Sequence, residues 1–486
     1  MSNIIQESWS HDRSHLKPRV LHIGFGAFSR AHTLRYLDDA LDKSGGDFGA
    51  VVARLNSGAD ELSALDAQDH EYLVVEADDD EIRARRIGCV VGTINPGRDG
   101  VDALPDLIAA KDLCLVTLTI TEKGYCLRNG KLDAEAPAIS ADLKNAQTPR
   151  SAIGVLVEGL RRRREAGAGG ITLMACDNLP ENGTALREAV VDYARLLDSA
   201  LADWIGENVA FPSTMVDRIV PALDEAGKAL IAEASGSSAT IGIVCEPFLQ
   251  WVIEDNFAGE RPDFAAAGAM LVDDVRPYEE MKLRMLNGSH SFLAYLGALA
   301  GHETISDCMG DAVFRKAART LMMQEQAPTL SVPGDVDLDA YADALIARFS
   351  NSRLGHRTQQ IATDGSQKLP QRLLAPIANH LERGEPWALS ALGVAGWMAY
   401  LGGKSEKGEA LKLSDPLAER LAEIASCNEG DDLVEALLKL DAIFPPALVG
   451  NEAFVAGINE SYRAITEQGV REAIAQACAK YDTEEG

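Results

Sequence analysis

Hydrophobic positions in the first half of the chain come in short, β-branched runs at 20–23, 49–54, 72–75, 89–91, 113–120, 170–175 and 240–245, separated by stretches with helical periodicity. Continuous apolar runs are what strands covered on both faces require, and strands alternating with helices predict a mostly parallel, doubly wound sheet. Beyond about residue 278 the β-rich runs stop. Apolar periodicity there predicts helices over 312–324, 338–349, 370–383, 388–401, 416–425, 433–440 and 452–468, with Gly402-Gly403 and Pro445-Pro446 as stops. The predicted class is α/β, a doubly wound domain over 15–280 followed by a mostly α-helical domain over 281–486. There is no internal repeat and no low-complexity segment; only the ends, 1–17 and 483–486, look loose.

Composition sharpens this picture. A chain of 486 residues exceeds what one core organises, which agrees with two domains. Its net charge of −28 argues against nucleic acid as a partner, since phosphate binding needs a clustered basic surface. A small anionic substrate would have to be met by local cations. No apolar run is long enough to span a bilayer, and the start lacks the apolar core of a secretory signal, so the expected location is the cytoplasm. The eight cysteines show no C-x2-C pair and no Cys/His cluster, which predicts buried thiols and no metal site. Composition leaves a monomer and a small homo-oligomer both open.

Two stretches carry candidate chemistry. Directly after the first strand comes Gly24-Phe-Gly26-Ala27-Phe28-Ser29-Arg30-Ala-His32, whose glycines permit a tight turn and close approach of backbone to a pyrophosphate, as in a Rossmann-type domain. Gly24, Gly26, Ala27, Phe28 and Arg30 are the candidates to hold it, although Ser29 stands where a third glycine is usual. The second strand ends in Arg54, with an acid only at Asp60. Asp60 would bond the ribose hydroxyls of NAD, whereas Arg54 would suit the 2′-phosphate of NADP, and the residues leave both open.

The other stretch is Lys282-Leu-Arg-Met-Leu-Asn287-Gly-Ser-His290. On an α-helix, Asn287 lies roughly 140° and His290 roughly 80° around the axis from Lys282, within one broad face. A buried amine can take a proton from a hydroxyl, a carboxamide can hold the developing oxyanion, and an imidazole can orient the substrate. That set oxidises a carbinol without a metal. An ordinary amphipathic helix has the same spacing, so the motif alone leaves both readings open. Its place at the expected domain junction, where clefts for small molecules form, favours the chemical one.

Further stretches in order along the chain are Leu118-Thr-Ile-Thr-Glu122-Lys-Gly-Tyr125, Cys176-Asp-Asn178-Leu-Pro-Glu-Asn182-Gly183, Phe211-Pro-Ser-Thr-Met-Val-Asp217-Arg218 and Cys245-Glu-Pro-Phe-Leu-Gln-Trp251. Together with the glycine turn and the Lys282 motif, they make the chain resemble the mannitol 2-dehydrogenase family of long-chain polyol and sugar-acid dehydrogenases over essentially its whole length. The resemblance implies an NAD-dependent, zinc-independent exchange of a secondary alcohol and a ketone. It implies Lys282 as general acid/base, Asn178 and Asn287 as an oxyanion hole, His290 and Asp217 as substrate contacts, and Glu122 in the proton path of the lysine. From the residues alone, Asn178 also suits a turn, and Asp217 could pair with Arg218 or cap a helix.

Substrate choice is expected in the helical domain. Polyol-oxidising members of the family carry an arginine where this chain has Gln360. Its His356-Arg357-Thr, Asp364-Gly-Ser-Gln-Lys368-Leu-Pro-Gln-Arg372, Met323-Gln-Glu-Gln-Ala-Pro-Thr-Leu and Leu392-Gly-Val-Ala-Gly-Trp-Met398 are similar to the fructuronate reductase branch. That likeness implies reversible reduction of D-fructuronate to D-mannonate by NADH, a step of glucuronate breakdown. A hexuronate carboxylate needs cations, and His356, Arg357 and Lys368 are the candidates, Arg357 as a bidentate grip. Arg357 would otherwise pair with an acid such as Asp364 on the surface. A mannitol- or arabinitol-type dehydrogenase, a tagaturonate reductase and a non-catalytic, ligand-sensing relative are the alternative readings.

Overall fold

Six of the strands assemble because both of their faces are apolar and need cover. The computed structural model describes residues 4–334 and 336–482. In it β1 (Lys17–Ile23), β2 (Phe48–Ala53), β3 (Val90–Ile94), β4 (Leu115–Leu118), β5 (Ile171–Ala175) and β6 (Val209–Ala210) form one sheet. Every pairing is parallel, and the order β3-β2-β1-β4-β5-β6 is that of a Rossmann fold. Alternate residues feed two separate cores. Leu21, Ile23, Val51, Ala53, Val116 and Leu118 face one, while Val20, Ala50, Val52 and Leu115 face the other. The strand order reverses between β1 and β4, which is where such sheets bind ligands.

Two of the apolar runs belong elsewhere. Tyr72–Ala77 and Gly242–Cys245 join Ile4–Glu7 and Ile82–Ile87 in a separate four-stranded sheet, with Tyr72–Ala77 and Ile82–Ile87 antiparallel. The expectation of a loose start is thus corrected from residue 4 onward, because Ile4–Glu7 pairs in parallel with Ile82–Arg85. Residues 1–3 and 483–486 lie outside the described residues. A three-stranded sheet of Thr214–Asp217, Gln250–Glu254 and Met270–Val272 was also not foreseen.

Contacts divide the chain into two compact units between Arg276 and Pro277. Among its described residues, the elements of the second unit are all helices. Its centre is the helix Ser289–Ala300, packed on the helix Ala388–Tyr400. Both are buried around nearly their whole circumference, as helices apolar on all sides must be. No helix among the described residues is long and apolar enough to cross a membrane.

The helix entering this unit was read as regular α-helix, and the structure corrects that. After Arg276–Met281 it winds as a π-helix over Lys282–Gly288 and returns to α at Ser289. Leu321–Gln326 and Pro370–Leu374 are π turns as well, and both pack against the first. Such turns are rare and concentrate at functional sites. Pro370 has a local cause, since its missing N–H removes an α-helical hydrogen bond and its ring crowds the preceding turn. At Gly288 the three turns meet too closely for a side chain: a Cβ there would overlap Gln326 Nε2 and lie 3.0 Å from the carbonyl oxygen of Arg372.

Candidate active site

In the first unit, β1 ends at Ile23 and the chain turns through Gly24 at φ +106°, where a Cβ would overlap the carbonyl oxygen of Thr119. Only glycine lets the exits of β1 and β4 come this close, and Thr119 Oγ1 donates to the Gly24 carbonyl at 2.7 Å. Ser29, in the place of the usual third glycine, closes the turn. Its hydroxyl accepts from Gly26 N at 3.0 Å and lies 3.1 Å from the carbonyl oxygens of Gly24 and Gly26. A cavity of about 360 Å³ opens here, with Gly24, Gly26, Arg54, Asn56, Ser57 and Thr119 among its walls. Bare backbone at Gly26, between two strand ends at the reversal of the sheet, fits the pyrophosphate and ribose of a dinucleotide.

Several residues expected to line this pocket do other work. Ala27 and Phe28 are not on its walls, and the Phe28 ring stacks on His32 at 4.8 Å. Arg30 bonds the Gly26 carbonyl through Nε at 3.1 Å and Glu61 through Nη2 at 3.1 Å. Asp60 is exposed in the first turn of the helix Ala59–Asp66 and does not reach the wall, where Arg54 stands ion-paired with Glu61.

The motif after β5 is a frame. The Asp177 carboxylate, not singled out from sequence, accepts from the backbone N–H of Ile120 (2.9 Å) and Thr121 (3.0 Å) and from the Tyr125 hydroxyl (2.8 Å). It ties the loop after β4 to the loop after β5, and burial pushes its pKa up. Asn182 accepts from Thr214 N and donates to Thr214 O, each at 2.8 Å. Asn178 is exposed in this loop, and Glu122 is exposed at the start of a short 3-10 turn. Asp217 is buried at the end of the strand Thr214–Asp217, while the Arg218 guanidinium binds Glu76 and the carbonyls of Ala31 and Glu246.

In the second unit the π winding changes the geometry read from sequence. Bonds from i to i+5 set Asn287 one turn above Lys282 rather than well around the axis. Lys282 is only 8% exposed. The His290 ring packs on Phe349 at 4.3 Å and meets His356 edge-on at 5.4 Å. Arg372 Nη1 donates to the Asn287 carbonyl at 3.2 Å and to Ser291 Oγ at 3.1 Å. Lys368 Nζ donates to the Ile361 carbonyl at 3.1 Å. His290 Nε2, His356 Nδ1 and Arg372 Nε are buried with no hydrogen-bond partner among the described residues.

Burial depresses every basic group of this cluster, and neighbouring basic groups add to it at His290, His356 and Lys368. His356 falls to about 4, Lys368 to about 8 and Arg372 to about 10. His290 drops well below the usual imidazole range, chiefly by burial and then by His356, Arg348, Arg372 and Lys368. An anion seated among these groups would be drawn to Lys368 and Arg372 and would satisfy the open Arg372 Nε.

Arg357, expected to grip a carboxylate, is not in this cluster. It is 67% exposed and pairs at 3.1 Å with Glu303, itself 69% exposed. The backbone dictates this, because Arg357 bridges to Thr304, and Thr358 N donates to the Glu303 carbonyl at 3.0 Å, which lays the two charged side chains together at the surface. Sequence reasoning missed Arg372. The available signal was its spacing of four from Lys368 on one helical run, which puts both on one side. Among the described residues, no group of three His, Cys, Asp or Glu side chains is arranged to hold a metal ion.

Residues 18–266 match the model of the mannitol dehydrogenase Rossmann domain, and residues 274–466 that of the mannitol dehydrogenase C-terminal domain. The chain belongs to the mannitol dehydrogenase family. It is an oxidoreductase by that membership. Within the family it is 48% identical over 476 residues to the D-mannonate oxidoreductase of Escherichia coli, covering 97% of this chain and 98% of that one. It is also 48% identical to the uncharacterized oxidoreductase YdfI of the same organism, over 97% of each chain. Among solved structures, the ternary complex of Pseudomonas fluorescens mannitol 2-dehydrogenase with NAD and D-mannitol superposes with a TM-score of 0.86 at 34% identity, covering 98% of this chain and 97% of that one.

Proposed function

We propose that this family member is a fructuronate reductase, interconverting D-mannonate and D-fructuronate with NAD as hydride carrier. The observation that carries an acid sugar over a neutral polyol is the half-buried cluster of His356, Lys368 and Arg372 around the buried His290. Partly desolvated cations such as Lys368 and Arg372, the latter with Nε open, are costly unless an anion completes them. A hexonate carboxylate supplies two acceptor oxygens and a charge, whereas mannitol supplies only hydroxyls. The identity with the E. coli D-mannonate oxidoreductase supports the same reading. YdfI, equally similar, has no assigned substrate, so the choice of an acid rests on the cluster.

A bound nicotinamide would supply the hydride acceptor. Neutral Lys282 takes the proton of the carbinol hydroxyl as hydride leaves the carbinol carbon, and the Asn287 amide donates to the oxygen as its charge grows. In the reducing direction the Lys282 ammonium returns that proton to the carbonyl oxygen. His290, with Nε2 open, holds a sugar hydroxyl. The family resemblance assigns Asn178 to the oxyanion, Asp217 to the substrate and Glu122 to the proton path.

The test is an initial-rate screen of D-mannonate, D-altronate, D-mannitol and D-arabinitol with NAD+ and NADP+. The highest kcat/KM is expected for D-mannonate with NAD+. Preference for D-altronate would make the chain a tagaturonate reductase, and preference for a neutral polyol would overturn the acid reading. Lys282→Ala should lose about 100- to 10,000-fold in turnover with NADH binding retained; unchanged turnover would remove Lys282 from the chemistry.

A further inference from the structure

An ion-paired arginine on the wall of the candidate dinucleotide cavity bears on the choice between the two forms of the cofactor. In this fold the residues after the second strand meet the ribose of the adenosine half, through an acid for NAD or an arginine for NADP. Here the strand ends at Ala53, and Arg54, Leu55, Asn56 and Ser57 line the cavity, with no acid among them. By that rule alone the pocket would take a 2′-phosphate. Arg54, however, is not free. Its Nη1 is ion-paired with Glu61 Oε2, and the other oxygen of the same carboxylate binds Arg30 Nη2 at 3.1 Å. The Arg54 side chain also lies flat on Gly58, where φ is +78° and a Cβ would collide with its Nε, Cδ and Cζ.

We propose that Glu61 makes this enzyme select NAD, by engaging Arg54 and setting a carboxylate beside the position of a 2′-phosphate. The inference rests on the dinucleotide reading of the cavity and names its specificity residue. A 2′-hydroxyl is neutral and finds partners in Asn56 and Ser57, which also line the wall. A 2′-phosphate, close to a dianion, would have to displace Glu61 from Arg54 or lie against it, and like charges in contact are strongly disfavoured. Removing the carboxylate charge while keeping its size would release two guanidiniums, Arg54 and Arg30, for bidentate phosphate binding.

The experiment is a fluorescence titration of NADH and NADPH binding to the full chain, without sugar substrate, in the wild type, Glu61→Gln and Glu61→Gln/Arg54→Leu. The wild type is expected to bind NADH more tightly than NADPH. In Glu61→Gln, NADPH should tighten by about tenfold or more, the scale of one charge-assisted hydrogen bond, with NADH little changed, and adding Arg54→Leu should abolish that gain. Unchanged NADPH affinity in Glu61→Gln, or a gain that survives Arg54→Leu, would overturn the proposal. If the wild type bound neither dinucleotide, the reading of the cavity would fail and this inference with it. A thermal melt of Glu61→Gln overlying that of the wild type shows that the comparison is between folded proteins.

Discussion

At the scale of single residues, substrate choice turns on which cations are withdrawn from solvent. Sequence favours Arg357 as the carboxylate grip with Lys368 as a further cation, yet Arg357 lies in solvent against Glu303 and Lys368 in the depressed cluster. Two predictions separate them. Arg357→Leu should leave the KM for D-mannonate within about twofold, because an exposed pair is worth little. Lys368 should impose a pH dependence whose sign follows from its lowered pKa of about 8. An anion binds the protonated amine, so the KM for D-mannonate should be flat below pH 7 and climb as pH rises through 8, with no matching climb for a neutral polyol. Kinetic profiles for both substrates check this, and parallel curves would remove Lys368 from the anion site. What sequence showed at this scale was the residue types. It could not show which way each side chain faced, since that depends on the local chain path, as the bridge of Arg357 to Thr304 illustrates.

At the scale of elements, the strands of the Rossmann sheet and the glycine turn were legible, because buried parallel strands leave continuous apolar runs and a chain crossing at Gly24 admits no side chain. The assignment of Tyr72–Ala77 and Gly242–Cys245 to that sheet was not sound, for an apolar run reveals burial and not the neighbouring strand. The π winding of Lys282–Gly288 left no periodicity signal over seven residues, and it arises where three π turns press together at Gly288. Gly288→Ala should therefore cost about 1–3 kcal/mol through overpacking and displace Asn287 relative to Lys282. The expected result is a lower thermal midpoint with a fall in kcat larger than any rise in the Kd for NADH. A variant as stable and active as the wild type would show that the junction tolerates a side chain.

At the scale of the whole molecule, a chain of net charge −28 repels the anion it is proposed to bind. Lys368 and Arg372 must outweigh that field locally, and their half-buried setting lets solvent and salt screen them less. Family membership fixes the general activity, while selection of an acid sugar depends on this small group of side chains. The most direct measurement is the ratio of kcat/KM for D-mannonate to that for D-mannitol, in the wild type and in Lys368→Met. The account predicts a ratio well above one that collapses in the variant through loss of D-mannonate turnover, with NADH binding intact. A ratio that is the same in both proteins would contradict it.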